Sequence, residues 1–475
     1  MKTDTIAAIA TGMSSSGISI IRISGDEAVE IADRIFNGKK QGFHLKNAKT
    51  HTIHYGNITD EKGNVLDEVL VSVMLAPKSY TAEDVVEINC HGGILITNQI
   101  LERVLQAGAR LAQPGEFTKR AFLNGRIDLS EAEAVMDLID AKSRAAVKNS
   151  EKHLQGILRT KITSLREDIL HETAYIEAAL DDPEHFDLTG YPDILLDIVQ
   201  KMLAEVNTLL VSADEGELLK NGIRTVILGK PNVGKSTFMN LLLGQDKAIV
   251  TEIAGTTRDI LEESLTIRGI PFCFLDTAGI RETEDVVERI GVKRAIDAAE
   301  DADLVLYLAD CTSEFDEEDI KILSGIRDKR VIILLNKTDL QPVTDAKQIQ
   351  RMLQTFLFQN EDQDVRSEPY IRILTISARF EQGIEEFKDV VCSLFFNGHL
   401  PDEDALYITN MRHKEALLQT KASFENVLKS IENEMPEDFY SIDLMDAYEA
   451  LGRITGDQIE DDLVEKIFSE FCMGK

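Results

Sequence analysis

The sequence predicts a multidomain chain of mixed α/β and all-α character. It comprises an N-terminal α/β unit, a helical bundle made from two separated stretches (a discontinuous helical domain), and an α/β unit with a mostly parallel sheet inserted between those stretches. Three observations predict this. Apolar strand-like runs alternate with helical ones over residues 1–118, a 3.6-residue apolar period takes over after Gly125 and returns after Pro401, and between the helical stretches an apolar strand leads into a glycine-rich loop and a helix. A chain of 475 residues is long enough for about three domains, each with its own core.

In the first unit, 18–23, 69–75 and 85–88 read as strands and 28–36 and 94–107 as helices. Residues 129–139 carry a clear helical period, and 157–180 continue it. Two prolines and a glycine within 181–193 interrupt the pattern before another helix reaches Glu217. The expected domains are therefore 1–118, a first helical part 119–221, an inserted domain 222–399, and a second helical part 400–475. Two helical stretches flanking an α/β domain most simply pair into one bundle, with the ends of the insertion close together. Within the insertion, 360–364 reads as a surface excursion.

Fifty-one basic against 83 acidic residues give a formal charge of −32, a field that repels polyanions. Any nucleic-acid contact must then be local. The candidates are Arg120, Arg126, Lys142, Arg144, Lys148 and Lys152, followed by Arg159, Lys161 and Arg166, which read equally as ordinary helix-surface charge. Glu314, Asp316, Glu317, Glu318 and Asp319 read as solvated surface that serves solubility. The five cysteines, Cys90, Cys273, Cys311, Cys392 and Cys472, form no Cys-x-x-Cys pair, which argues for reduced thiols rather than zinc or disulfides. His51 and His54 have no cysteine nearby and read as structural. The terminal Cys472-Met473-Gly474-Lys475 fits a prenylation signal poorly. The stretch 6–10 is too short for a signal peptide or membrane span, so a cytosolic protein with no membrane contact is expected.

The chemistry lies between Gly229 and Ala378. The run Gly229-Lys230-Pro231-Asn232-Val233-Gly234-Lys235-Ser236 follows the apolar stretch 223–228 and precedes a helix beginning near Thr237. Backbone N–H groups along Asn232, Val233, Gly234, Lys235, Ser236 and Thr237 then face phosphates, Lys235 reaches the β and γ oxygens, and the Ser236 hydroxyl ligates Mg2+. Asp276-Thr277-Ala278-Gly279 closes the strand 272–275, placing Asp276 in the Mg2+ shell and the Gly279 N–H at the γ-phosphate. Asn336-Lys337-Thr338-Asp339 ends the strand 331–335. The Asp339 carboxylate there accepts hydrogen bonds from N1–H and the exocyclic amine of guanine, which adenine cannot supply. Ser377-Ala378 completes the base pocket. Thr251-Glu252-Ile253-Ala254-Gly255-Thr256-Thr257 is the switch segment at the nucleotide, with Thr257 as a second Mg2+ ligand. Together these motifs predict a Ras-like P-loop GTPase domain. Ras-like enzymes orient the attacking water with a Gln after the Asp-x-x-Gly glycine, but here Ile280 stands there, so hydrolysis needs another device. On loop geometry alone Asn232 is not demanded, since most side chains fit.

Outside this domain the chain carries Gly17-Ile18-Ser19-Ile20-Ile21-Arg22-Ile23-Ser24-Gly25, Ser79 to Glu87, His91-Gly92-Gly93, Pro114 to Arg126 and the ending Ile467 to Lys475 with Phe471-Cys472. With these motifs it resembles, over essentially its whole length, the MnmE (TrmE) family of tRNA-modifying GTPases. The resemblance implies that the N-terminal domain is a tetrahydrofolate-binding and dimerisation domain. It implies that Arg22, Glu87, Arg126 and Lys475 contact the folate, as cations suited to a glutamate tail and a carboxylate suited to pterin N–H groups. It implies that Asn232, Thr251, Ile253 and Thr256 hold K+ when two G domains face each other. Such a cation stands in for an arginine finger, a device worth about 10³ to 10⁵ in rate or roughly 4 to 7 kcal/mol. Glu288 is implied to position the attacking water indirectly, in place of the missing Gln. By itself it reads as a salt-bridging helix residue beside Arg289. Departures from the family pattern are Arg126 where many relatives have Lys, residues 11–16 in place of a glycine/proline-rich turn, and 180–184.

Cys472 has two readings, a structural or positioning residue on an amphipathic tail and a catalytic nucleophile whose pKa Lys475 lowers. The function the resemblance implies is a K+-stimulated GTPase, homodimeric, working with an FAD-containing partner of the MnmG (GidA) type in a heterotetramer that supplies much of the tRNA grip. That assembly adds an aminomethyl-class (carboxymethylaminomethyl) group to C5 of the tRNA wobble uridine, with GTP, Mg2+, K+ and 5,10-methylenetetrahydrofolate, for which 5-formyltetrahydrofolate is an analogue. The alternative is a ribosome-assembly GTPase that uses GTP as a timer. It has no reason to carry the folate-matching residues or the Phe471-Cys472 tail.

Overall fold

The computed structural model describes residues 4–40, 42–185, 188–245, 263–275, 297, 299–357, 370–396, 402, 404–457, 461–469, 471 and 474. The chain forms two compact units, Met1–Met136 with His153–Val199 and Ala422–Lys475, and Asp137–Lys152 with Gln200–Lys421.

In the first unit, strands β1 (Ile6–Ile9), β2 (Ile18–Ser24), β3 (Phe36–Gly38), β4 (Thr52–Thr59), β5 (Val65–Met74), β6 (Val85–His91) and β7 (Arg110–Leu111) form a seven-stranded sheet in the order β3-β4-β5-β6-β2-β1-β7. Its pairs are antiparallel except β1 with β7. Period-two alternation decides which face is covered: Val69, Val71 and Val73 are buried while Leu70 between them is 47% exposed. Helices α1 (Ala28–Ile35) and α2 (Ile94–Gln106) cover the apolar face, where Ile31, Ile35, Ile100 and Val104 join Ile21, Ile23, Val71 and Ile88 in one core.

Helix α3 (Glu116–Leu123) follows, with Gly115 in a left-handed conformation as its N-cap. Then come α4 (Leu129–Asp140), α5 (Arg144–Leu154), α6 (Ile157–Asp181) and α7 (Tyr191–Asn221), and, late in the chain, helices at Met411–Glu432, Asp438–Thr455 and Asp461–Ser469. The early and late helices pack together. Arg166 on α6 lies 4.2 Å from the ring of Tyr448 and pairs with Asp457, and Leu129 and Ala132 of α4 share a core with Val464, Phe468 and Phe471. The helical part is therefore discontinuous in sequence, as expected.

In the second unit a six-stranded sheet has the order β13-β12-β11-β8-β10-β9, from β8 (Ile223–Leu228), β9 (Glu263–Ile267), β10 (Ile270–Phe274), β11 (Leu304–Asp310), β12 (Arg330–Asn336) and β13 (Ile371–Thr375). All its pairs are parallel except β9 with β10. Strands buried on both faces read as continuous apolar runs, and β11 divides accordingly: Leu304, Leu306 and Leu308 enter one core, Val305, Tyr307 and Ala309 the other. Helices α8 (Lys235–Gln245), α9 (Glu317–Gly325), α10 (Ala346–Leu357) and α11 (Ile384–Phe395) alternate with these strands. The late helices are then α12 (Met411–Glu432), α13 (Asp438–Thr455) and α14 (Asp461–Ser469). The expected surface excursion at 360–364 lies outside the described residues.

Several surface-charge expectations are corrected by the fold. Asp319 is buried, and Asp316 caps α9 with the Asp319 side chain completing a capping box, so two of the five acids in 314–319 are structural. Of the basic candidates, Lys152 donates to the Ala405 carbonyl, Arg166 is taken up against Tyr448, and Arg120 is buried. His54 stacks on Phe43 at 4.6 Å, and burial lowers its pKa. Cys90, Cys273, Cys311 and Cys392 are free and buried, and no metal-binding cluster occurs among the described residues.

Arg120 meets Glu83 at 3.2 Å, Glu116 at 3.2 Å and Asp4 at 2.8 Å, with side-chain exposures of 10% for Arg120 and 9% for Glu83. Removing this cation takes from the buried Glu83 carboxylate its charged partner and leaves it the Ser24 hydroxyl, which donates to Oε2 at 2.7 Å. Arg120→Met should destabilise the N-terminal unit by about 3 to 5 kcal/mol, read as a lower urea midpoint for its transition. An unchanged midpoint would mean that Glu83 finds other compensation.

Candidate functional site

The strand β8 ends at Leu228 and α8 begins at Lys235, and the six residues between them must reverse direction over a parallel sheet. They do so with left-handed backbone at Gly229 (φ 139°), Asn232 (φ 61°) and Gly234 (φ 103°). A Cβ at Gly229 would sit 2.2 Å from the Leu308 carbonyl, and one at Gly234 would sit 2.4 Å from Asn336 Nδ2. The close approach that demands glycine is therefore to the protein's own neighbours as well as to a ligand. Asn232 is likewise favoured by the backbone, because Asn tolerates the left-handed region better than most residues. This corrects the reading that most side chains fit there.

Lys235 Nζ donates to the carbonyls of Gly229 (2.7 Å) and Lys230 (2.8 Å), and burial lowers its pKa. Val233 is buried, Lys235 is half-buried, and Asn232, Ser236 and Thr237 are exposed at the start of α8, whose first N–H groups have no partner within the helix.

The C-terminal ends of β11, β12 and β13 bring the second half of the site together. Asn336 Nδ2 donates to the Val233 carbonyl (2.9 Å), and its Oδ1 accepts from the Ala378 N–H (3.0 Å). Lys337, itself left-handed (φ 65°), donates from Nζ to the Asn232 carbonyl (2.9 Å) and to Asp310 Oδ2 (2.5 Å). Burial alone would raise the Asp310 pKa, but the bonds from Lys337 and Thr312 outweigh it and hold the carboxyl below its ordinary value. Ser377 Oγ donates to Asp339 Oδ1 (2.6 Å), and the Thr338 N–H donates to the Ile376 carbonyl (3.2 Å). Thus Asn336, Lys337, Asp339, Ser377 and Ala378, distant in sequence from the Gly229–Ser236 loop, are tied to it and to each other. Asp310 is a member of this network that the motif reading did not select. Its signal was its place at the end of an apolar strand, where the structure sets it level with Asn336 on β12.

Thr251, Glu252, Ile253, Ala254, Gly255, Thr256, Thr257, Asp276, Thr277, Ala278, Gly279, Ile280 and Glu288 lie outside the described residues, as do Cys472 and Lys475.

A second cluster lies in the first compact unit. Arg22 and Glu87 are directly opposite on β2 and β6, hence on the same face, and form a pair at 2.8 Å. The Arg22 guanidinium sits 5.2 Å from the Tyr80 ring centroid and 5.6 Å from that of Phe117, and Arg126 lies 5.1 Å from the Tyr80 ring and donates to the Tyr80 carbonyl at 3.0 Å. Three of the four folate-matching residues predicted from the sequence are therefore brought to one place. Tyr80 and Phe117, which sequence reasoning did not select, form its aromatic floor. The chain's tail reaches it as well: Arg22 donates to the Gly474 carbonyl at 3.3 Å.

Comparison with known proteins agrees with this arrangement. The profile described as "MnmE helical domain" matches residues 129–472, and "GTP-binding protein TrmE N-terminus" matches 5–126. Proteins named "tRNA modification GTPase MnmE" are similar from end to end. The one from Lachnoclostridium phytofermentans is 52% identical over 100% of both chains, that from Bacillus subtilis 45% identical over 99% of this chain and 100% of its own, and that from Enterococcus faecalis 45% identical over 100% of this chain and 99% of its own. The chain belongs to the MnmE family of tRNA modification GTPases. Its GTP-hydrolysing character, its N-terminal TrmE domain and its helical domain follow from that membership. Among the described residues no helix is long and apolar enough to cross a membrane.

For an MnmE-family GTPase whose Asn336 amide joins two loops, Asn336→Ala should weaken GDP binding by roughly 10²-fold, since two hydrogen bonds and the shape of the loop are lost together. Calorimetry on the full-length variant would read this. Wild-type affinity would mean the loop holds its shape without the bridge.

Proposed function

We propose that this chain is a K+-stimulated GTPase that, with an FAD-containing partner of the MnmG (GidA) type, adds an aminomethyl-class (carboxymethylaminomethyl) group to C5 of the tRNA wobble uridine. The one-carbon unit comes from 5,10-methylenetetrahydrofolate. The observation that carries the reading is the presence, in one chain, of a phosphate loop tied to a base pocket and of the Arg22–Glu87–Tyr80–Arg126 cluster reached by Gly474. A GTPase that served only as a timer has no use for the second.

In this reading the domains are 1–118, 119–221, 222–399 and 400–475, and the protein is a cytoplasmic homodimer that joins its partner in a heterotetramer. The loop from Asn232 to Thr237 holds the phosphates, Lys235 meets the β and γ oxygens, and Asp339 with Lys337, Ser377 and Ala378 selects guanine. Asp276 to Gly279 and Thr251 to Thr257 complete the γ-phosphate side, and Glu288 orients the attacking water indirectly. Ser236 and Thr257 would hold Mg2+. The exposed Asn232 amide, with Thr251, Ile253 and Thr256, would hold K+, whose charge stabilises the developing negative charge between the phosphates. Arg22, Arg126 and Lys475 are cations for a folate's glutamate tail, Glu87 is an acceptor for pterin N–H groups, and Tyr80 is a surface on which a planar ring stacks. Cys472 serves beside them either as a thiol nucleophile or by seating Lys475.

Exchanging Na+ for K+ at constant ionic strength should raise GTP turnover several-fold, and Asn232→Gly should lose most of the gain. Glycine is the informative substitution because it keeps the left-handed backbone while removing the amide. Equal turnover in the two salts would end the K+ assignment.

Arg22→Ala and Glu87→Ala should weaken 5-formyltetrahydrofolate binding in calorimetry with GTP affinity unchanged. The same variants should lower the modified wobble nucleoside in mass spectra of cellular tRNA. Normal nucleosides in a complete deletion strain lacking a second copy would replace this reading with the ribosome-assembly timer.

A further inference from the structure

We infer that Lys230 and Asp319 are positioning residues for GTP binding, a half-buried ion pair that sets the backbone on which the phosphate-binding lysine, Lys235, is held.

Lys230 is the second residue of the glycine loop, and none of the nucleotide motifs assigns its side chain a task. Its ammonium lies 2.7 Å from Asp319 Oδ2 and 2.8 Å from Asp316 Oδ2. Flanked by two carboxylates, it is turned to the start of α9 rather than offered to a phosphate. Asp319 is a buried carboxylate with three donors. Its Oδ1 accepts from Tyr307 Oη at 2.5 Å, its Oδ2 accepts from the Asp316 N–H at 2.9 Å as well as from Lys230, and Tyr307 is fully buried on β11. The carboxylate is thus fixed by the sheet and by the cap of α9 before it meets the loop.

The effect on nucleotide passes through the main chain. The Lys230 carbonyl is one of the two acceptors of Lys235 Nζ, at 2.8 Å. Moving the Lys230 backbone therefore moves the ammonium that Lys235 presents to phosphate oxygens. A small cavity lined by Lys230, Val233, Asp310, Phe315, Asp319 and Thr344 lies beside the loop on this side, and the ion pair forms part of its wall. A charge-assisted contact of this kind holds a donor in place without touching ligand, which affects ground-state binding and leaves the chemical step largely alone.

The test uses the full-length protein with GDP calorimetry and steady-state GTP turnover. Lys230→Ala should raise the GDP Kd and the GTP KM together by about tenfold while kcat stays within about twofold, and Lys230→Arg, which can still bridge both carboxylates, should recover most of the affinity. Asp319→Asn should repeat the Lys230→Ala pattern. Should that variant fail to fold, because it also disturbs the α9 cap, Lys230→Ala decides the matter alone, since it leaves the cap and the Tyr307 bond intact. Unchanged Kd and KM in Lys230→Ala would overturn the inference. So would a lower melting temperature of the nucleotide-free protein with Kd unaltered, which marks a merely structural pair, or a fall in kcat at constant KM.

Discussion

The nucleotide half of this protein depends on the Asn336 side-chain amide. Parallel strands deliver their loops to one edge of the sheet, but nothing in strand pairing fixes those loops against each other. One amide does so by donating to Val233 in the glycine loop and accepting from Ala378 after β13, with Gly234 kept small because Asn336 Nδ2 occupies the space of its side chain. Lys337 adds a second tie to the Asn232 carbonyl and is itself braced by Asp310. The glycine loop and the loops after β12 and β13 are consequently one hydrogen-bonded object, so in the proposed reading the residues that discriminate the base also shape the backbone that meets the phosphates.

Charge is used in the same economical way. The acidic excess is large, and three of the basic residues that sequence alone offered to a polyanion, Arg120, Lys152 and Arg166, are engaged inside the fold. Arg120 is enclosed by Asp4, Glu83 and Glu116, Lys230 by Asp316 and Asp319, and Arg166 lies over Tyr448. Cations committed to buried or half-buried carboxylates contribute little to a long-range field, so composition overstates the positive surface available to tRNA.

How much was legible in advance follows from the physics of each signal. The glycine loop, Asn336-Lys337-Thr338-Asp339 and Ser377-Ala378 were readable because each sits at the end of an apolar strand, where local pattern and chemical need coincide. The sheet orders, the burial of Asp319 against Tyr307 and the bracing by Asp310 were not, because they depend on which strands become neighbours. An acidic run such as 314–319 looks solvated until a capped helix turns one of its carboxylates toward Tyr307. Asn232 was misread for a related reason: left-handed backbone leaves no mark in a motif unless the residue is glycine. In the second cluster, resemblance pointed to Arg22, Glu87 and Arg126, but only the register of β2 on β6 explains why two of them share a face, and only the fold places Tyr80 between the two arginines.

That cluster also constrains how the chain is assembled. Gly474 approaches β1 so closely that a Cβ would lie 2.3 Å from the Ile9 carbonyl, and its φ of 84° is one that glycine adopts without strain. Its carbonyl accepts from Arg22, 452 residues earlier in the chain. The approach is guided by apolar contacts, for Phe468 and Phe471 pack on each other at 5.0 Å and share a core with Leu129 and Ala132 of α4. The helices that follow the inserted GTPase domain must therefore be in place before the Arg22 site is complete. A site of this construction ties β2 to the late part of the chain, with Arg22 holding the Gly474 carbonyl on one side and Glu87, at 2.8 Å, on the other.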